Sequence, residues 1–389
     1  MTHKERVLAA INNQPVDKIP VHHIQFSMYA ARTILGRPAN VGGAALRWKE
    51  LNAIWEGRED GFDEQCEKDA LAVAEACGHD ILRLLYWRWW PWIKPFRKND
   101  DGSFLCGDPA GAWTKYSYRP DLELMIEEPG GTAVEKTDVD PFNVTEDYLF
   151  ALIEAEKRIQ AAPTQPGQEW MTRSIRQVGQ YADYVLKLGS ETVFVDMMVS
   201  EELAAAALWP ETFRTLLELR ADRYIRQVKD IAAAGQRVNF AGMDICTDAG
   251  PSISPDMFRR VVFPPLKRLV DATHEMGMYY FFGGDGNFWP LADMMFNELG
   301  IQGWFETDKS AGMDLGKLRE RYPHVLFIGN IPVQVLHRGT REDVIRETME
   351  CLETAHDLGG IVVGCSNMIM PGTPPENVLA MLTCIENNR

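Results

Sequence analysis

Residues 237–246 read RVNFAGMDIC, and residues 278–282 read MYYFF. Both are short apolar runs rich in β-branched or aromatic side chains, too brief for a helix and followed at once by polar residues. The same pattern returns at Ile301–Phe305 (IQGWF), Val325–Ile328 (VLFI) and Gly360–Val363 (GIVV). Between these runs lie Ser254–Met276, Phe288–Leu299, Leu315–Tyr322 and Thr340–Leu358, whose apolar residues recur at helical spacing. Ser254-Pro255 and Thr340-Arg341-Glu342-Asp343 have the capping hydroxyl and early acids of helix starts. Strand and helix in strict alternation imply βα units and a parallel sheet.

Towards the N-terminus the rhythm continues less cleanly. Ile19–Ile24, His79–Tyr86 and Met171–Val178 are the strand candidates there. About eight strands in all predict a closed (β/α)8 TIM barrel with N-terminal helical additions, read as one domain over residues 1–389. The competing doubly wound sheet would place a glycine fingerprint after its first strand, where this chain has His22-His23-Ile24-Gln25-Phe26.

Composition narrows the partners. The formal net charge of −16 repels phosphate backbones and anionic lipid heads, so neither nucleic acid nor membrane is expected. Seven cysteines at scattered spacings, with no CxxC pair, form neither a disulfide framework nor a zinc ribbon. A cytoplasmic, reduced protein acting on a small molecule is the expectation, with self-association left open.

Function in a TIM barrel sits where strands end. The first candidate strand runs into His22 and His23. Asp244, Cys246 and Asp248 follow the 237–243 run, and Gly283-Gly284-Asp285-Gly286-Asn287 follows MYYFF. Glu306 and Asp308 follow IQGWF, Asn330 follows VLFI, and Cys365 and Asn367 follow GIVV. Asp248 and Asp308 could equally be caps of the next helix. Only one of His22 and His23 can face the barrel mouth, because successive strand side chains alternate. Residues 86–92 (YWRWWPW) hold four tryptophans. They read either as packing or as an apolar lid in which Trp87 and Trp89 flank a flat substrate.

Several stretches together resemble the uroporphyrinogen decarboxylase superfamily: Lys4–Ala10 with Asp17–Val21, Ser254–Arg259, Gly284–Asn287, and Pro371–Val378. The resemblance implies a TIM barrel and more than one chemistry. The branch that decarboxylates uroporphyrinogen holds carboxylates with an arginine-rich segment after the first strand, and residues 21–32 (VHHIQFSMYAAR) lack it. Corrinoid-dependent methyltransferases form another branch. Its thiol-using members bind zinc through a His-x-Cys motif at the place of Gly283 and Asp285 and a cysteine near Asn367, so zinc is not expected here at the usual positions. Cys246 and Cys365 remain weak candidates for a rearranged metal site.

The expectation is a methyltransferase that moves a methyl group from a small methoxylated or methylated donor to a cobalamin protein. Asp285, Asp244 or His22 would supply or relay the proton, while Asn287, Glu306, Asn330, Asn367, Trp87 and Trp89 would line the donor site. The alternatives are a lyase acting on a smaller carboxylic acid, clamped by Arg32, Arg37, Arg83 or Arg88, and a barrel that binds a ligand without turning it over.

Overall fold

The computed structural model describes residues 1–84, 94–131, 143–162 and 168–389. Eight parallel segments among them close a barrel. The first is centred on Val21, which bridges Val363. The others are Ile81–Leu82, Val185–Leu186, Val238–Gly242, Tyr279–Gly283, Gly303–Phe305, Leu326–Ile328 and Ile361–Val362. The last five form one continuous parallel sheet. Closure comes from Asp80 N–H donating to Val21 O (2.8 Å), Lys187 N–H to Leu82 O (2.8 Å), Phe240 N–H to Leu188 O (3.2 Å) and Val363 N–H to Pro20 O (2.9 Å).

Side-chain alternation splits the apolar residues into two cores. Ile81, Val185, Val238, Phe240, Phe281, Phe305, Leu326, Ile328 and Val362 fill the lumen. Their strand neighbours, such as Tyr280, Phe282, Trp304 and Phe327, face outward against the helices. Helix His3–Ile11 sends Val7, Ala10 and Ile11 into the lumen core and so plugs the N-terminal end of the barrel. Only the C-terminal end is left as a mouth.

The expected caps are present. Ser254 accepts from Met257 N–H, and Thr340 forms a capping box with Asp343. Phe288–Leu299, expected to be helical, is a loop entering a short π-helical turn, Met294–Glu298.

One strand assignment is corrected. Met171–Val178 lies within helix Gln168–Gln180, where Met171, Ser174, Gln177 and Val178 are buried at helical spacing. The third barrel strand is Val185–Leu186 instead. A four-stranded antiparallel sheet, Pro95–Lys98, Phe104–Gly107, Ala112–Arg119 and Leu124–Gly131, lies between the second and third barrel strands. Its core is small: Phe104, Cys106 and Tyr116 pack on Leu51. Among the described residues no helix is long and apolar enough to cross a membrane.

Candidate active site

Register decides which side chains meet at the mouth. Gly242, Gly283 and Phe305 are paired across three adjacent strands and end them at one level. Asp244 and Asp285 follow two residues after the glycines, and Glu306 follows Phe305 directly. Their carboxylate oxygens lie within 4.8 Å of one another. Asn367, from the loop after the eighth strand, donates from Nδ2 to Asp285 Oδ2 at 2.6 Å.

The glycines are required by space. A Cβ on Gly283 would stand 1.9 Å from Phe305 Cε2, and one on Gly284 2.6 Å from Met243 O. Gly286, at φ 84°, would meet the backbone of Cys246 and Thr247. The Phe305 ring therefore lies across the end of the fifth strand and floors the mouth. Glu306 breaks the alternation by entering the left-handed region (φ 67°), which costs a non-glycine residue about 1–2 kcal/mol. The kink keeps its carboxylate at the mouth instead of in the outer helix layer.

Three carboxylates this close cannot all be charged without cost. Burial, together with Glu306, Asp244 and Asp308, pushes Asp285 up to about 8. The Asn367 hydrogen bond pulls weakly the other way. Burial and Asp244 raise Glu306 as well, but Lys187 and Arg83 oppose that shift. Lys187 follows the third strand, and its Nζ lies 4.3 Å from the centre of the Phe305 ring. Burial and Arg83 drive Lys187 down to about 7, against the pull of Glu306. Burial and crowding thus favour the protonated form of Asp285 at neutral pH, next to Glu306, which faces Arg83 and a lysine that is itself pushed towards losing its proton.

The other expected residues are placed differently. His22 is fully buried, and its Nδ1 lies 3.0 Å from Ile81 O. A carbonyl only accepts, so Nδ1 carries the hydrogen and Nε2 is a lone pair, one without a partner. Burial, with His79, Lys187, Arg83 and His23 nearby, holds His22 neutral. A neutral ring with that tautomer is poorly suited to deliver a proton from Nε2. His23 accepts from Cys365 N–H at 3.1 Å, and its own N–H donates to His79 Nε2. Asn287 accepts from Trp289 N–H and shapes its turn. Asn330 is buried and donates to Met313 O. Asp308 caps Lys309–Ala311, as the capping alternative had it, and Asp248 is exposed. Arg37 pairs with Asp69, and Arg32 is exposed. Trp87, Trp89 and Arg88 lie outside the described residues. Lys187 was missed because the third strand had been placed at Met171–Val178; the apolar pair Val185-Leu186 followed by a lone lysine was the available signal.

The thiol-activating zinc of some relatives does not fit here. Its first ligand position is Gly283, and the space a side chain would need is filled by Phe305. Neither cysteine substitutes. Cys365 is buried with Sγ 3.4 Å from Met381 Sδ, and burial raises the Cys246 thiol to about 12. Asp244, Asp285 and Glu306 are the grouping among the described residues whose oxygens could surround a cation. The side chains that bring positive charge towards that grouping are Lys187 and Arg83, acting on Glu306.

The comparisons with known proteins agree with this architecture. No curated protein matches the chain. Among solved structures, a methyltransferase from Methanosarcina mazei superposes with a TM-score of 0.61 at 19% identity, covering 100% of this chain and 99% of that one. At that identity the likeness speaks to the fold. A sugar phosphate isomerase/epimerase from Parabacteroides distasonis (TM-score 0.29, 12% identity, 55% of this chain and 74% of that one) is too distant to carry an argument. So is a D-psicose 3-epimerase (0.31, 10%, 62% and 91%). The model of the family described as uroporphyrinogen decarboxylase (URO-D) matches residues 188–387, just over half of the sequence and the part that carries Asp244, Asp285, Glu306 and Asn367, and the chain belongs to that family.

Proposed function

We propose that the barrel mouth transfers a methyl group from a small methoxylated or methylated donor to a reduced corrinoid carried by a partner protein, with Asp285 as the general acid. One observation carries this reading: Asp244, Asp285 and Glu306 meet at the strand ends with carboxylate oxygens within 4.8 Å of one another, a crowding that with burial pushes Asp285 up to about 8. A reduced corrinoid on the partner would supply the electron pair that takes up the methyl group. At the mouth the methyl–oxygen bond of a methoxylated donor would break with its electron pair left on oxygen, and the Asp285 proton would move to that oxygen. An alkoxide or phenoxide is a poor leaving group, and protonation in the transition state contributes on the order of 10²–10⁴ in rate. Asn367 fixes Asp285 Oδ2, which leaves the other oxygen to donate. Phe305 supplies an apolar floor, and exposed Asp244 sits at the opening towards solvent and partner.

Decarboxylation of a small acid is the second reading, favoured by Lys187 and Arg83 reaching the same mouth. A substrate carboxylate would have to compete there with Glu306, which both cations already face.

The test is incubation of the protein with reduced cobalamin and a panel of methoxyarenes, following the methylated corrinoid by absorbance. Methyl transfer is expected, with a rate that is level below pH about 8 and falls above it as Asp285 loses its proton. Asp285→Asn should lower the rate by about 10²–10⁴. Carbon dioxide release from an acid without methyl transfer, or full activity in Asp285→Asn, would contradict the reading.

A further inference from the structure

The mouth is polarised, and the polarity comes from register. Ile81 pairs with Val185 and Leu82 with Leu186, so Arg83 and Lys187 leave two adjacent strands side by side. Ile81 and Val185 belong to the lumen core and Leu82 and Leu186 to the outer one, so the alternation turns Arg83 and Lys187 inward. The next three strands lead into Asp244, Asp285 and Glu306. Cations thus line one part of the mouth and acids the part beside it.

The cations are held in place there. Arg83 donates from Nη1 to Ile24 O at 2.9 Å, which ties it to the end of the first strand. The half-buried Lys187 has its Nζ 4.3 Å from the centre of the Phe305 ring. That ammonium makes no hydrogen bond, and no ion pair of 4.0 Å or less, with any described residue. It carries three donors, and leaving them unused away from bulk water is costly. Glu306 shares the neighbourhood without forming that ion pair, so a further anion finds the donors open. The Phe305 ring also reaches Gly283, where an added Cβ would stand 1.9 Å from its Cε2. One phenyl ring therefore spans from the ammonium to the strand that leads into Asp285.

Resting on the methyl-transfer reading, we propose that the methyl donor is an anion: a methoxylated carboxylate held by Lys187 and Arg83, with its ether oxygen turned towards the acids. A carboxylate bound by an ammonium and a guanidinium forms charge-assisted hydrogen bonds, which are stronger than neutral ones. Fixing that end of a short molecule fixes the other, and the reacting oxygen is positioned before any bond changes. Burial and Arg83 pull Lys187 down to about 7, and an anion against it reverses that pull. The acids reject the opposite orientation, which would set the donor's carboxylate among like charges. Lys187 and Arg83 thus decide which donors are accepted and which way round they lie.

The experiment is calorimetric binding of methoxyacetate and the methoxybenzoates, each against its own carboxamide, to the full chain without corrinoid. The carboxamide keeps the shape and the ether and removes the charge. At least one carboxylate should bind about tenfold to a hundredfold more tightly than its carboxamide. Lys187→Met keeps an unbranched chain over the Phe305 ring, and it should abolish that preference while leaving the carboxamide affinity unchanged. Lys187→Arg should retain most of the preference, since the charge remains. Should Lys187→Met fail to fold, Lys187→Gln serves as the uncharged variant. A panel in which no carboxylate exceeds its carboxamide overturns the proposal, and so does a preference that survives without the lysine charge. A preference that depends on Lys187, in acids that yield no methylated cobalamin, upholds the anion site and overturns the methyl-transfer reading instead.

Discussion

The barrel carries a cluster of ionisable side chains at each end, and the two are built differently. At the closed N-terminal end, Asp80 has a fully buried side chain. It accepts from Arg6, from Val21 N–H (3.0 Å) and from Arg389 (3.1 Å), with His3 Nδ1 at 2.9 Å. Arg6 also pairs with Asp17, and Arg389 reaches Gly78 O at 2.6 Å. Acids and cations there are in direct contact. At the open end, Asp244, Asp285 and Glu306 crowd together with Asn367 as the neutral partner of one of them. A balanced cluster stabilises the fold. An unbalanced one raises the proton affinity of an acid, a perturbation that clusters at functional sites.

The contrast can be broken by exchanging the expected outcomes at the two ends. The largest effect on stability belongs to Asp80→Ala, which leaves Arg6 and Arg389 buried without their partner. It should destabilise by about 3–5 kcal/mol in denaturant unfolding. Stability close to wild type would show that the closed end is not held by charge. Gly283→Ala pushes a methyl group into the Phe305 ring and should cost about 1–3 kcal/mol. It should also disturb the mouth, and a variant with unaltered stability and activity would show that the floor is not packed as described. Asp285→Asn should do the reverse of Asp80→Ala. The folded-state affinity of Asp285 for its proton is raised, so its contribution to stability is complete below the ordinary aspartate value of 3.8 and is lost progressively as pH rises from there to about 8. Replacing it should change the melting temperature least at about pH 3 and raise it increasingly from there to mild alkali, as calorimetry at the two extremes would show. Asn367→Ala is the smallest change. Its hydrogen bond lowers the proton affinity of Asp285 slightly, so its loss should move the alkaline limb of the rate profile upward, not downward.

How much of this was legible in the sequence follows from the forces involved. The second-half strands were readable because buried parallel strands are short continuous apolar runs, and Tyr279–Gly283 and Leu326–Ile328 were found on that basis. Asp244, Asp285 and Glu306 stand out as candidates in the sequence because strand ends are where a barrel gathers polar groups. Their mutual approach was not readable, since it depends on the register that aligns Gly242, Gly283 and Phe305. Met171–Val178 was misread because a run with Ile and Val resembles a strand until its burial period is known. The antiparallel sheet at 95–131 was missed because its strands are largely exposed and lack a strong apolar alternation. The glycines at 283 and 284 stood out, but that they make room for the Phe305 ring and the Met243 carbonyl could be learned only from the packing.

The central claim is that the mouth stores a proton on Asp285 at neutral pH. Infrared difference spectroscopy of wild type against Asp285→Asn measures that proton through the stretch of a protonated carboxyl group. A carboxylic-acid band is expected at neutral pH that is absent from the variant and disappears in wild type with a midpoint at about pH 8. A band confined to the acid range of ordinary aspartates would contradict it.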